Sequence, residues 1–208
     1  GYTFEAAIAD IIDNSVSVHA TQIEIKFPVD PAEIYIAVCD NGTGMSKEEL
    51  FDAMKYGSSL KRGKRSEDDL GRFGLGLKAA SLSQCRKLTV VSKKDDNLSA
   101  YIWDLDVVEA KQDWLMVECS EEEIQKLKCI DFLNERESGT VVLWENFDIL
   151  RESSGNEYAE LMDYQNSTAE YLSLIFHRFL NRVGAGKISI KINNFILTGY
   201  DPFLENHP

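Results

Sequence analysis

Two polar residues near the N-terminus have the types and the spacing for metal and water chemistry. Asp10 and Asn14 are four positions apart in the segment 3–19, where apolar residues recur at helical spacing. On a helix, side chains four positions apart lie one turn above each other. Asn14 could hold Mg²⁺ through its amide oxygen, and Asp10 could act as a general base that polarises a water molecule. A solvated helix face would carry the same pair.

A second candidate group lies at the C-terminal end of a predicted strand, residues 33–40. A carboxylate there could accept a hydrogen bond from the exocyclic amine of a purine, and two glycines would let the backbone approach the base. An ordinary Asp-Asn-Gly turn explains this segment equally well when it is taken alone. The candidate binding residues are Asp40, Gly42, Gly44 and Met45.

A glycine-rich segment, residues 71–78, leads into a predicted helix at 74–83. At the start of a helix, free backbone amides and the helix dipole favour phosphate. The segment lacks the Gly-Lys-Ser/Thr ending of a Walker loop, and it does not directly follow a strand as a dinucleotide-binding fingerprint would. A glycine-rich lid before a structural helix is the alternative interpretation. The candidate phosphate-binding residues are Gly71, Phe73, Gly74, Leu75, Gly76 and Lys78.

A fourth group, Gly139 and Thr140, places a hydroxyl at the start of the predicted strand 140–144. Taken in order, the four groups resemble the motifs of the GHKL superfamily of ATPases, which includes the gyrase B subunit, the ninety-kilodalton heat-shock chaperone, the histidine kinases and MutL. The resemblance covers most of the chain. Residues 14–25 look like MutL, and residues 71–81 with the linker before them look like the MORC ATPases and their bacterial counterparts.

The resemblance implies a role for each candidate residue. Asn14 would bind Mg²⁺, and Asp10 occupies the general-base position four residues before it. Asp40 would bind the adenine of ATP, and Thr140 would assist through a water molecule. The glycine segment would bind the phosphates. The implied activity is Mg²⁺-dependent ATP hydrolysis, coupled to closure of a mobile lid at 56–72 and to dimerisation with a second copy.

Two departures from the family pattern bear on turnover. Asp10 stands where this branch of the family usually has glutamate, and its carboxylate is one methylene shorter. Small displacements of a catalytic group can cost about a hundredfold in rate, so we expect slow hydrolysis. Gyrase-like and MutL-like members also reach the terminal phosphate with a lysine from a following domain. Lys61, Lys64 and Lys78 are candidate local substitutes, and a solvated basic lid is the alternative interpretation. The rival hypothesis is a nucleotide-gated binding module with little or no hydrolysis.

Alternating apolar and polar residues predict a strand at 21–27, and a further strand is predicted at 88–91. Ser46 and Glu49 predict a capping box at the start of a helix, and another helix is predicted at 120–127. The order of predicted helices and strands indicates an α+β fold.

We expect a two-layer sandwich, with a mixed and mostly antiparallel sheet covered by helices on one face, and the resemblance implies that it is the Bergerat-type ATP-binding fold. The segment 1–208 is interpreted as a single ATP-binding domain and as a fragment of a longer protein. Residues 156–208 would form a closing helix and edge strands that lead to a downstream domain.

Composition limits the partners of the chain. Its 208 residues are 44% hydrophobic, enough to bury one core, and the formal net charge of -13 disfavours nucleic acid and anionic membranes. Nucleic acid would be contacted only through regions outside this chain. No apolar run reaches the roughly 20 residues of a membrane span, so a cytoplasmic protein is expected. The expected partners are ATP or ADP and, in the full-length protein, a second copy of the chain.

Overall fold

Eight strands form one sheet in the computed structural model, which describes residues 1–55, 73–113, 115–147 and 156–201. The predicted lid at 56–72 lies outside the described residues. In chain order the strands are β1 (Gln22–Lys26), β2 (Ile36–Asp40), β3 (Cys85–Lys94), β4 (Asn97–Asp104), β5 (Met116–Glu118), β6 (Gly139–Phe147), β7 (Ser189–Ile192) and β8 (Phe195–Ile196). They lie side by side in the order β5-β4-β3-β6-β2-β1-β7-β8.

The pairing of the strands confirms a mixed, mostly antiparallel sheet. Only the β1–β7 pair is parallel, and the other pairs described are antiparallel. The longest ladder joins β3 to β6, from Cys85 opposite Phe147 to Lys93 opposite Gly139. The α+β class expected from the sequence is therefore correct.

Helices in the described part of the chain alternate with these strands. Their bounds are α1 (Phe4–Ser17), α2 (Lys47–Met54), α3 (Phe73–Leu82), α4 (Leu105–Lys111), α5 (Glu121–Ile124), α6 (Ile130–Asn134), α7 (Glu157–Ile175) and α8 (His177–Leu180). Local sequence explains where several of them begin. Thr3 caps α1 by accepting from the Ala6 amide, and Ser46 with Glu49 forms the predicted capping box of α2.

The longer helices pack on one face of the sheet, as the sequence predicts. Apolar residues of α1, α2, α3 and α7 share one core with inward-facing residues of the central strands. A second, smaller core lies on the other face, where α5 and α6 cover alternate residues such as Ala37, Cys39 and Leu143. The predicted helix at 120–127 is shorter in the structure, ending at Ile124. None of the described helices is both long and apolar enough to cross a membrane.

Candidate functional site

Asp40, the last residue of β2, is a buried carboxylate held from two sides. Only 4% of its surface is exposed. Its Oδ2 accepts a hydrogen bond from the Ser15 hydroxyl at 2.8 Å, and its Oδ1 accepts from the Gly42 amide at 2.9 Å. Burial raises the pKa of Asp40, although hydrogen bonds from Gly42, Ser15 and Thr140 act in the opposite direction. A carboxylate has about four acceptor positions, so capacity remains for an N–H group of a ligand.

Ser15 is a contact that the sequence did not identify. It lies on the apolar stripe of α1, one position after Asn14, and is itself buried. Its hydrogen bond to Asp40 joins two elements of the candidate site. One is the helix that carries Asn14, the predicted Mg²⁺ ligand, and the other is the strand that carries Asp40, the residue predicted to bind adenine. A hydroxyl among apolar residues on a helix face was the only available signal, and it does not specify a partner 25 positions away.

The loop after Asp40 is anchored to the turn between α1 and β1. The side-chain oxygen of Asn41 accepts from the amides of Thr21 at 2.9 Å and Gln22 at 2.8 Å. The amide of Thr43 donates to the carbonyl of Val18 at 3.3 Å. All three bonds are made to backbone groups of Val18, Thr21 and Gln22, so the loop is positioned by the α1–β1 turn and not by its own sequence alone.

Two glycines allow the backbone of this site to pass close to neighbouring strands. Gly44 has a φ of +67°, and a Cβ there would lie 1.9 Å from the carbonyl oxygen of Lys93. Gly139 has a φ of +150°, and a Cβ there would lie 2.2 Å from the carbonyl oxygen of Asp40. Neither position could take a side chain without movement of the backbone. The Gly-Thr pair is therefore packed against the end of β2.

Ser92, on β3, links the two motifs and was not identified from the sequence. Its hydroxyl oxygen accepts from the Met45 amide at 2.9 Å and lies 2.9 Å from the Thr140 hydroxyl. It also donates to the Gly139 carbonyl at 3.0 Å. The predicted strand at 88–91 ended one residue before Ser92, whereas β3 continues to Lys94. Thr140 and Met45, both predicted site residues, are thus brought together through this hydroxyl.

Asp10 and Asn14 lie on the same helix, one turn apart, as predicted, and both are half-buried. The Tyr2 hydroxyl hydrogen-bonds the Asp10 carboxylate, and this contact together with the negative charge raises the pKa of Tyr2. Mg²⁺ keeps several water molecules and takes only one or two protein oxygens besides phosphate. An accessible amide oxygen beside a carboxylate fits that requirement. The described residues hold no cluster of three acidic, histidine or cysteine ligands that would favour a closed metal cage.

The structure describes only part of the glycine-rich segment 71–78. Helix α3 begins at Phe73, so Gly74, Leu75 and Gly76 lie at its N-terminal end, while Gly71 is outside the described residues. Among the described residues, no atom lies within 4 Å of the position that a Cβ on Gly76 would occupy. Because α3 also packs against α1, this helix start belongs to the same face of the sheet as Asp10.

Lys78 of α3 is buried, with 2% of its surface exposed. Its ammonium donates to the carbonyl oxygens of Ala53 at 3.0 Å and Lys55 at 2.6 Å, at the C-terminal end of α2. Burial lowers the pKa of Lys78 to about 8. These contacts give Lys78 a structural function that the sequence did not predict, because they depend on how α2 and α3 pack. Lys61 and Lys64 are outside the described residues.

Comparison with known proteins identifies the family. Residues 2–140 match the family described as histidine kinase-, DNA gyrase B-, and HSP90-like ATPase, which is more than half of the 208 residues. The chain therefore belongs to this family of ATPases, as its four motifs predict, and membership implies ATP binding. The matched stretch includes α1, the loop after β2, the helix start of α3 and Thr140.

Individual relatives agree with this assignment. ATPase morc-1 of Caenorhabditis elegans is 33% identical over 97 residues, which are 47% of this chain and 11% of that protein. DNA mismatch repair protein MutL of Microcystis aeruginosa is 33% identical over 100 residues, 46% of this chain and 18% of MutL. Heat shock protein 90-5, chloroplastic, of Arabidopsis thaliana is 32% identical over 94 residues, 39% of this chain and 12% of that protein. The matched stretch therefore spans less than a fifth of each relative.

Proposed function

We propose that this chain binds ATP with Mg²⁺ and hydrolyses it slowly. The observation that supports this best is the buried Asp40 carboxylate, which is held by Ser15 and Gly42 and still has acceptor positions available. Burying a charged group is costly unless it is compensated. A hydrogen bond from the exocyclic amine of adenine would supply part of that compensation. Nucleotide binding would therefore explain why a carboxylate is buried at this position.

Each remaining site residue has a task in this proposal. Thr140 assists Asp40 at the base through water, and Asn14 holds the metal. Bound Mg²⁺ would neutralise charge on the phosphates. The phosphates would be bound by backbone amides at the start of α3, with the lid before it. The proposed nucleotide contacts are Asn14, Asp40, Gly42, Gly44, Met45, Gly71, Phe73, Gly74, Leu75, Gly76 and Thr140. Lys78, the other contact predicted from the sequence, is left out because it is buried and its ammonium donates to the carbonyl oxygens of Ala53 and Lys55.

Hydrolysis would depend on Asp10. Its carboxylate would orient a water molecule and accept a proton from it as the water oxygen attacks the terminal phosphorus. The bond from that phosphorus to the bridging oxygen would break, and ADP would leave with the electron pair. Asp10 is one methylene shorter than the glutamate usual in this branch, and the Tyr2 hydroxyl occupies part of its acceptor capacity. Both features would reduce its effectiveness as a base, so the proposal is a slow enzyme.

A nucleotide-gated binding module is the second candidate function. The contact between Tyr2 and Asp10 favours it specifically, because the Tyr2 hydroxyl occupies an acceptor position of the carboxylate that would otherwise hold the attacking water. In that case nucleotide would be bound and retained while turnover stays negligible. The two candidate functions share the adenine-binding site around Asp40 and differ only in whether Asp10 activates water.

Lid closure over the nucleotide and ATP-dependent dimerisation of the full-length protein are part of the leading proposal. The lysine that would reach the terminal phosphate is not assigned; Lys61, Lys64 and Lys78 were the local candidates, and the ammonium of Lys78 is directed to the end of α2. The cytoplasmic location stays a prediction from sequence.

The base site is tested by isothermal titration of ATP with Mg²⁺ into Asp40→Asn. Loss of a charge-assisted hydrogen bond of about 1.5–3 kcal/mol predicts an affinity lower by roughly 10- to 100-fold. Asp52→Asn is the matched control, because Asp52 is exposed on α2 and the variant makes the same change of charge. The melting temperature of Asp40→Asn should equal or exceed that of the wild type. A folded Asp40→Asn that binds ATP normally would contradict the proposal.

A further inference from the structure

The hydroxyl of Ser92 lies at the centre of the base site although it belongs to neither sequence motif. Ser92 has no exposed surface and faces the same side of the sheet as Leu88 and Val90. It stands directly opposite Thr140 in the β3–β6 ladder. A serine at this position can satisfy its hydroxyl only with groups of the protein, because water does not reach it.

Ser92 has three polar neighbours within hydrogen-bonding distance and one proton to donate. The Met45 amide can only donate to it, and the Gly139 carbonyl can only accept from it. The Thr140 hydroxyl can do either. If the proton of Ser92 goes to Gly139, Thr140 donates to Ser92, and all three contacts are hydrogen bonds. If it goes to Thr140, the hydroxyl of Thr140 is left to donate elsewhere. Both arrangements tie the Thr140 hydroxyl to Ser92.

We propose that Ser92 is a positioning residue that sets the orientation of the Thr140 hydroxyl and thereby the selectivity of the site for adenine over guanine. The inference rests on the proposed nucleotide-binding function of the same site. Ser92 itself is shielded from the nucleotide and acts through Thr140 and the Met45 backbone. The loop that carries Asp40 and the strand that carries Thr140 are held together by this hydroxyl.

The chemistry of the two purines explains why hydroxyl orientation matters. Adenine has an amine donor where guanine has a carbonyl acceptor, and the neighbouring ring nitrogen is an acceptor in adenine and a donor in guanine. A carboxylate at Asp40 only accepts, so it favours the amine. A hydroxyl free to rotate could adapt to either base, whereas a hydroxyl held in one direction cannot. Polar groups of fixed direction reject a mismatched ligand more strongly than adaptable ones.

The test is isothermal titration of ATP and of GTP, each with Mg²⁺, into the wild type, Ser92→Ala and Thr89→Val. Thr89 is the matched control, since it is equally buried on β3, faces the opposite side, and its hydroxyl makes no hydrogen bond to the described residues. We expect Ser92→Ala to lower the ratio of the GTP and ATP dissociation constants about fivefold or more. Thr89→Val should leave that ratio unchanged.

A double-mutant cycle shows whether Ser92 acts through Thr140. If it does, Ser92→Ala combined with Thr140→Val should have the same GTP-to-ATP ratio as Thr140→Val alone, because the hydroxyl to be oriented is already absent. Ser92→Cys provides a second variant should Ser92→Ala fail to fold. Its thiol donates and accepts weakly, so the expected ratio lies between those of the wild type and Thr140→Val.

Several outcomes would overturn the inference. They are an unchanged ratio in folded Ser92→Ala, equal losses of ATP and GTP affinity, independent effects of the two substitutions, or a wild type that binds both nucleotides equally. A wild type that binds neither nucleotide would instead refute the proposed function itself. The two failures are therefore distinguishable in one set of titrations.

Discussion

The two ends of the candidate site differ in how firmly the fold holds them. At the base end, Asp40, Ser15, Ser92 and Thr140 are buried and joined by hydrogen bonds of 2.8 to 2.9 Å across α1, β2, β3 and β6. At the hydrolysis end, Asp10 is half-buried on one helix, and its described hydrogen-bond partner is Tyr2, an exposed residue before α1.

Under the proposed function, this difference separates nucleotide binding from hydrolysis. Groups fixed by a sheet register are organised before a ligand arrives, and their orientation costs little at the moment of binding. A carboxylate on a single helix, held by one exposed side chain, has more freedom than groups that several strands hold. We infer that selectivity for the base is built into this domain, whereas efficient hydrolysis depends on further ordering.

The largest expected effect comes from removing Asp10, the proposed general base. Asp10→Ala should lower the single-turnover hydrolysis rate about 100-fold or more, because general-base catalysis contributes a factor of that size. ATP affinity should change little, because Asp10 is not among the residues proposed to bind adenine. Asp10→Glu should raise the rate if the short side chain limits it. Asp13→Ala is the control for loss of charge on α1. Wild-type turnover by Asp10→Ala would show that the base is elsewhere.

A second prediction compares glycines from the two motifs. Gly44→Ala should destabilise the domain by more than about 2 kcal/mol, because its positive φ and the approach of the Lys93 carbonyl leave no place for a Cβ. Gly76→Ala should be neutral or stabilising by up to about 1 kcal/mol, since Gly76 lies in a helix and no atom of the described residues would contact the added Cβ. Denaturant unfolding measures both. Equal effects at both positions would contradict the distinction between the tightly packed loop after β2, which carries Gly44, and helix α3, which carries Gly76.

The smallest expected effect is a pH dependence at Asp40. Because burial raises its pKa, Asp40 takes up a proton more readily in the folded protein than in the unfolded chain. The contribution of Asp40 to folding stability is therefore present at low pH and lost as the pH rises through the folded pKa. ATP affinity should change in the opposite direction and rise with pH, because only the ionised carboxylate of Asp40 accepts the hydrogen bond from the adenine amine.

Titrations at decreasing pH should show a few-fold loss of ATP affinity that begins above the usual range of an aspartate. Asp40→Asn is the reference, since it retains the titration of the phosphates and lacks that of the carboxylate. Identical pH profiles for the wild type and Asp40→Asn would contradict this assignment.

Features set by short-range physics were predicted well. The polar and apolar alternation of β1, the capping box of α2 and the helical spacing of α1 all depend on residues close in sequence. Predictions failed where local signals were weak. Strand β3 extends at both ends beyond 88–91, because pairing with β4 and β6 recruits Lys87 and Lys93, which carry no apolar signal. Helix α4 was missed for a related reason: it buries no residue.

The sequence alone determined the family, the α+β class and the identity of Asp10, Asn14, Asp40 and Thr140 as candidates, since their order and spacing along the chain are specific. Only the tertiary structure identified Ser15 and Ser92 as the residues that hold the base site. Their partners lie 25 to 48 positions away, and those contacts exist only after strand register and helix packing are set. A hydroxyl in an apolar segment looks the same in sequence whether it orients a ligand or has no partner.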